Sequence, residues 1–239
     1  MGGAAPGSCN VAVIGMMHRL RMNIFEGKDI LVTGGCGSIG SEIVRQLIIH
    51  EPKRVRVLDN DETGHWRLSQ DLASPLLRNL LGDIRDRDRL GRAMEGVDYV
   101  FHAAALKHVP LCEYNPYEAV HTNVIGTQNV VDAAITHGVQ KLIGISTDKA
   151  VNPINTMGAT KLLSERLIVN APVGFSEIQV GCVRFGNVLG SAGSVIPMFK
   201  QQIAKGGPIT ITTPEMTRFF MTIPQAVDLV LKAAERMVG

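Results

Sequence analysis

Three side chains able to move protons stand in a row at Thr147-Asp148-Lys149, directly after the apolar run from Lys141 to Ser146. A hydroxyl, a carboxyl and an amine in succession can relay, give and take protons, the minimum equipment for general acid–base catalysis. The same triplet also fits a surface loop with a local ion pair, which contributes little by itself. Lys161, twelve residues on, falls in a helix-like stretch, where a lysine is ordinarily a solvated charge. A second group with chemical meaning lies far upstream, at Thr33-Gly34-Gly35-Cys36-Gly37-Ser38-Ile39-Gly40. It follows the apolar Ile30-Leu31-Val32 and precedes a helix-like stretch from Ser41 to His50. Strand, glycine turn and helix in that order suit a pyrophosphate. Gly34 takes the tight turn, Gly37 lets backbone and phosphate approach, Gly40 lets the helix pack closely, and the helix N-terminus offers N–H groups and partial positive charge. The spacing Gly-x-x-Gly-x-x-Gly differs from the Gly-x-Gly-x-x-Gly of simple dehydrogenases and also fits a purely structural turn.

The elements that must position these groups alternate along the chain. Strand-like segments are expected at Asp29 to Thr33, Arg54 to Leu58, Asn79 to Leu81, Tyr99 to His102, Lys141 to Ser146 and Glu177 to Arg184, with a short one at Ile209 to Ile211. Helix-like segments include a long one from Pro116 to His137, then Thr156 to Asn170, Val195 to Lys205 and Pro224 to Met237. Gly186 to Ser191 reads as a loop. Strands alternating with helices imply an α/β fold, a doubly wound parallel sheet, whose C-terminal strand edge binds ligands. Asp59 ends the second strand, 25 residues past Gly34. There an acid accepts hydrogen bonds from both ribose hydroxyls and repels a 2′-phosphate, favouring NAD over NADP. Its alternative role is a cap for the helix beginning near Glu62. Asp83, followed by Ile84, stands where a carboxylate reaches an adenine amino group. Ala103, Ala104 and Ala105 leave room for a cofactor to lie across the fourth strand. Asn123 is a polar residue in the apolar stripe of the long helix.

Composition narrows the classes. The 239 residues are 45% apolar and carry a net charge of +2 with no basic block, so neither nucleic acid nor an anionic membrane surface is indicated. Four scattered cysteines show no metal-type pairing and read as free thiols in a reducing, cytoplasmic setting. No apolar run approaches the roughly 20 residues of a membrane span. Residues 1–27, rich in Gly, Ala and Met, read as a poorly ordered extension with a short basic helix around His18 to Met22. Residues 28–186 read as the dinucleotide-binding domain, and 187–239 as a partial substrate-binding region.

Six stretches, in order, resemble the nucleotide-sugar 4,6-dehydratases of polysaccharide biosynthesis, within the extended short-chain dehydrogenase/reductase superfamily. They are Thr33 to Gly40, His102 to Pro110, Ser146 to Pro153, Met157 to Lys161, Arg184 to Ser191 and Pro214 to Phe220. The resemblance implies a Rossmann fold and a resident NAD. It implies a redox-neutral reaction on UDP-N-acetylglucosamine: oxidation at C4, loss of water across C5–C6, and return of the hydride to C6. Asp148 then matches the acid for the C6 hydroxyl and Lys149 the base for the C5 proton. Thr147 matches a hydroxyl near C4, and Lys161 the lysine on the nicotinamide ribose. A lysine base must be neutral when it acts, which calls for a lowered pKa. The cofactor set is Gly34, Gly37, Ser38, Ile39, Gly40, Asp59, Asp83, Ile84, Ala103, Ala104, Ala105, Asn123 and Lys161. The resemblance places Asn187, Ser191 and Val195 against UDP. Arg218 suits the diphosphate, or a rim salt bridge with Glu215, while Lys107 and His108 face the sugar. It also implies a homo-oligomer paired through the helices at 116–137 and 156–170, and a substrate region that relatives extend further.

One position departs from the superfamily. Met157 stands where the usual catalytic tyrosine lies, four residues before Lys161, and a thioether cannot take a proton from a hydroxyl. Met157 also resembles a branch of the same dehydratases, in which Asp148, or a relay through Thr147 and water, must take the C4 proton. The alternatives are a catalytically dead homologue, a NAD-binding regulatory protein, or an epimerase or reductase.

Overall fold

The computed structural model describes residues 23–172, 177–190, 195–211 and 213–237. A six-stranded sheet, parallel throughout, forms its centre. The strands are β1 (Asp29–Thr33), β2 (Arg54–Asp59), β3 (Leu77–Leu81), β4 (Tyr99–His102), β5 (Lys141–Thr147) and β6 (Gln179–Phe185), ordered β3-β2-β1-β4-β5-β6. The chain winds outward from β1 to β3, then restarts at β4 on the other side. The crevice therefore opens at the C-terminal ends of β1 and β4, where Thr33 registers with His102.

Alternation along β1 divides the core into two layers. Ile30 and Val32 point to one face, with Val55, Val57, Phe101 and Ile143. That face is covered by α1 (Ser38–Ile49), through Ile43, Val44 and Leu47, and by α9 (Ile223–Arg236), through Val227, Val230 and Leu231. Leu31 points to the other face, beneath α3 (Arg87–Met94), α6 (Gly126–Thr136) and α7 (Thr156–Val169). The remaining helices are α2 (Glu62–Leu72), α4 (Val109–Tyr114), α5 (Pro116–Val120) and α8 (Val195–Ala204).

Several elements differ from their sequence-based expectation. Residues 23–27 are not part of a loose extension. They turn so that Phe25 is fully buried against Tyr99 and Phe101, so the packed domain begins before Lys28. The expected basic helix near His18 lies outside the described residues. The long helix from Pro116 is interrupted by a π turn at His121–Ile125. Asn187–Leu189, expected as loop, is strand β7, and it pairs in parallel with β8 (Phe220–Thr222) as a separate ribbon. Ile209 to Ile211 is not a strand; Thr210 instead hydrogen-bonds the side chain of Gln202. No described helix is long and apolar enough to cross a membrane.

Candidate active site

The glycine turn leaves β1 with Gly34 at φ +67°, so close to the chain after β4 that a Cβ would lie 2.5 Å from the Ala104 nitrogen. At Gly40 a Cβ would meet the Gly34 carbonyl oxygen at 2.1 Å. These two glycines serve the packing of the turn itself. Gly37 is different: its φ of −71° suits any residue, and a Cβ would approach only the Gly34 oxygen, at 3.4 Å. Nothing within the protein demands glycine there. The space a side chain would take opens at the N-terminus of α1, which has no side-chain cap. Such a cradle fits a phosphate.

A hollow of about 680 Å³ continues from this turn. Ser38, Ile39, Asp59, Asp83, Ile84 and Ala103 to Ala105 line it. Asp59 does not cap α2; that role belongs to Asp61, which accepts from the Gly64 N–H. Asp59 accepts from the backbone N–H of Cys36 at 2.9 Å and of Asp61 at 3.1 Å, which locks the strand end to the glycine turn. Asp83 is paired with Arg85 at 2.7 Å. Burial pushes its carboxyl up, but the Arg85 guanidinium and backbone outweigh that and hold it below the usual range.

A second cavity, of about 340 Å³, shares the walls formed by Ile39, Ala103, Ala105, Leu106, Lys107 and His108. The two are halves of one cleft. Thr147, Lys149, Met157, Lys161, Asn187 and Val195 line the second half. Asp148 joins it through Lys149, whose Nζ donates to Asp148 Oδ1 at 3.0 Å and to Asn187 Oδ1 at 3.3 Å. Thr147 Oγ1 donates to the same Asp148 oxygen at 2.9 Å. Burial raises the Asp148 pKa, yet the bonds from Lys149 and Thr147 more than offset this, and the carboxyl stays ionised below its ordinary range. Lys107 is lowered by burial. Met157 is 4% exposed and packs with Cys112 and Ala119, so that part of the cleft wall is apolar.

Lys161 is no solvated helix charge. It is half-buried, and its Nζ donates to the Ile145 carbonyl at 2.6 Å. Asn123 does not face the cofactor hollow either. It is 1% exposed and pins the Leu106 backbone from both sides, accepting from the N–H at 2.7 Å and donating to the carbonyl at 2.9 Å, with a further bond to Thr160. Its expected cofactor contact is thus replaced by a support beneath the loop that carries Lys107 and His108. Arg218 lines neither half of the cleft and donates to the Thr217 carbonyl, and it forms no ion pair with Glu215. Ser191 lies outside the described residues.

Sequence reasoning missed His102. It is fully buried, with Nδ1 2.7 Å from Thr33 Oγ1 and Nε2 3.0 Å from Thr127 Oγ1. Thr127 gives its proton to the Asn123 carbonyl, so His102 Nε2 donates to Thr127 and Nδ1 accepts from Thr33. Burial, then the Lys161 charge, push its pKa down to about 3. The neutral ring bolts β1 to β4 and α6 beneath the crevice. An apolar strand end had signalled only packing there.

Residues 30–239 match the family described as "Polysaccharide biosynthesis protein". The chain belongs to that family. It is 60% identical over 213 residues to an uncharacterized membrane protein of Methanocaldococcus jannaschii, covering 88% of this chain and 64% of the relative. It is 46% identical over 220 residues to a UDP-N-acetylglucosamine 4,6-dehydratase (inverting) of Campylobacter jejuni, covering 90% and 66%. It is 48% identical over 218 residues to a UDP-glucose 4-epimerase of Rickettsia rickettsii, covering 89% and 64%. The chain thus spans about two thirds of the length of these relatives. Among solved structures, Pen from Bacillus thuringiensis superposes with a TM-score of 0.86 at 48% identity, covering 89% of this chain and 66% of that one. A dTDP-glucose 4,6-dehydratase of Streptomyces venezuelae, a double mutant solved with NAD bound, superposes with a TM-score of 0.79 at 28% identity, covering 86% and 71%. The fold is that of the extended short-chain dehydrogenase/reductase dehydratases and epimerases among these solved structures.

Proposed function

We propose that this chain carries the active site of a NAD-dependent 4,6-dehydratase acting on UDP-N-acetylglucosamine. The observation that carries the reading is the bonded Asp148–Lys149 pair at the end of β5, facing a cleft whose other wall is Met157. NAD, when bound, supplies the hydride acceptor for C4 and the hydride donor for C6.

The residues divide the remaining work. Gly37 and the α1 N-terminus receive the pyrophosphate, Asp59 the adenosine ribose, Asp83 and Ile84 the adenine, and Lys161 the nicotinamide ribose. Asp148 is ionised at rest, so it begins as a base. It takes the C4 hydroxyl proton, directly or through Thr147 and water. Lys149, once its Nζ has released to solvent the proton it holds in the pair with Asp148, takes the C5 proton as the neutral amine and later returns it to C5. Asp148 gives the proton it gained to the departing C6 hydroxyl, which leaves as water. The cycle starts and ends with the same protonation states and needs no tyrosine. Asn187 fixes Lys149 from the substrate side. The exposed Leu111, Tyr114, Tyr117 and Ile154 support self-association of this enzyme.

The similarity to the Rickettsia epimerase favours a second reading, C4 epimerisation, which needs no acid for C6. Incubation with UDP-N-acetylglucosamine and mass analysis separates the two. A dehydratase product is lighter by one water, an epimerase product has unchanged mass, and only the first outcome upholds the proposal.

A further inference from the structure

The adenosine end of the cleft holds a side chain that the proposed roles leave unused. Asp83 and Arg85 sit between β3 and α3, and Glu118 lies on α5; all three line the same hollow. Arg85 donates from Nε and Nη2 to Asp83 Oδ2, at 3.0 and 2.7 Å, and from Nη1 to Glu118 Oε2 at 3.1 Å. Its backbone N–H donates to Asp83 Oδ1 at 2.9 Å. The guanidinium therefore ties two separate elements together at the rim of the hollow.

As a surface ion-pair network this contributes little, because the Arg85 and Glu118 side chains are 36% and 49% exposed. It is no seat for an anion either. Asp59, Asp61, Asp83 and Glu118 all line this end, and together they outweigh one guanidinium. The geometry suits a flat, neutral group. The N–H groups of a guanidinium lie in its plane. Bonds to Asp83 and Glu118 thus hold the plane by its edges and spend neither face. Other lining residues offer no comparable surface. Among the described residues the hollow has no Phe, Tyr or Trp, and its one imidazole, His108, belongs to the wall shared with the second half. Ile84 is 4% exposed and turned under α6, where a Cβ on Gly126 would come within 2.7 Å of its Cδ1.

We propose that Arg85 is a binding residue for the adenine ring: its guanidinium, held by Asp83 and Glu118, is a preset platform on which the base stacks. That the base is adenine rests on the NAD reading above.

The test is calorimetry on the full chain with NAD and with ADP-ribose, which keeps the adenine and lacks the nicotinamide. Nicotinamide mononucleotide, which lacks the adenine, is followed by ligand NMR. Arg85→Ala should weaken NAD and ADP-ribose by about 5- to 30-fold and leave nicotinamide mononucleotide unchanged. Arg85→Lys keeps the charge and loses the plane, and should stay within about threefold of Arg85→Ala. Glu118→Gln should weaken NAD severalfold in the parent chain and have no effect in Arg85→Ala, because Glu118 acts through the guanidinium. Arg85→Lys and Glu118→Gln carry the test if Arg85→Ala folds poorly. Unchanged NAD affinity in Arg85→Ala, equal losses for NAD and nicotinamide mononucleotide, parent-like affinity in Arg85→Lys, or additive effects of Glu118→Gln and Arg85→Ala would each overturn the platform and leave the NAD reading standing. A parent chain that binds neither NAD nor ADP-ribose would overturn the NAD reading, and the platform with it.

Discussion

Gly37 and Gly40 stand three residues apart in one turn, and the structure assigns them opposite duties, so alanine at each should fail differently. At Gly40 a Cβ would sit 2.1 Å from the Gly34 oxygen and 2.6 Å from the Gly35 Cα. Both are backbone, so α1 must lift from the turn. Overpacking of this kind costs about 1–3 kcal/mol. At Gly37 a Cβ meets a single atom at 3.4 Å with an ordinary φ. Alanine gains about 0.4–1 kcal/mol from the unfolded chain. It gives back a similar amount at an N-cap, where glycine is preferred to alanine. The net change in stability is thus close to zero. A phosphate held at the same spot loses contact with the α1 N–H groups, worth roughly 1.5–3 kcal/mol for a charge-assisted bond, or about 10- to 150-fold in affinity. Chemical denaturation and NAD calorimetry on both variants read the two quantities separately. Gly37→Ala with unchanged NAD affinity would refute the assignment of the cradle. Gly40→Ala with full stability would refute the steric argument.

Lys149→Ala and Asp148→Asn should each abolish the 4-keto product while leaving NAD affinity within about threefold, as read by product mass analysis and calorimetry; Met157→Ala should cost far less, since that thioether handles no proton. Asn123→Ala strands the Leu106 N–H and carbonyl, and should cost about 2 kcal/mol in denaturation, with faster amide exchange at residues 105–108. Asp29, buried under Lys53, Arg54 and Arg56 at the far end of the sheet, is raised by burial but held below its usual pKa by Arg54 and Lys53. A depressed carboxylate contributes stability above its unfolded pKa of about 3.9 and loses it as pH falls through the folded value. The stability gap between the parent chain and Asp29→Asn, about 2 kcal/mol at pH 7, should therefore shrink below pH 4 in urea titrations.

The parts of the site that read clearly were those with local signals. A strand, a glycine turn and a helix lie within 21 residues, Asp29 to Ile49, and each is dictated by its neighbours. Thr147-Asp148-Lys149 was legible because strand end and reactive groups coincide. What escaped depends on distant partners. β7 and β8 are three residues each, too short for any periodicity, and exist only because Asn187 meets Phe220. Asn123 and His102 are ordinary polar letters until the fold puts Leu106 and Thr33 beside them. Lys161 looks solvated on a helical wheel, yet the sheet covers it. Phe25 escaped because a single aromatic in a Gly- and Met-rich stretch has no pattern around it.

The cover over the first core layer has a consequence for synthesis. Phe101, Ile143 and Ile145 face the side of the sheet that α9 closes with Val227, Val230 and Leu231. On a ribosome, those strand faces emerge long before residues 223–236 do. The glycine turn, the crevice and the Asp148–Lys149 loop can all be outside the exit tunnel while the sheet beneath them is still open to water. Such long-range closure folds late and leaves apolar surface exposed meanwhile. The nascent chain should accordingly lean on chaperones until α9 arrives, and ligand binding should switch on abruptly with α9 rather than grow with chain length.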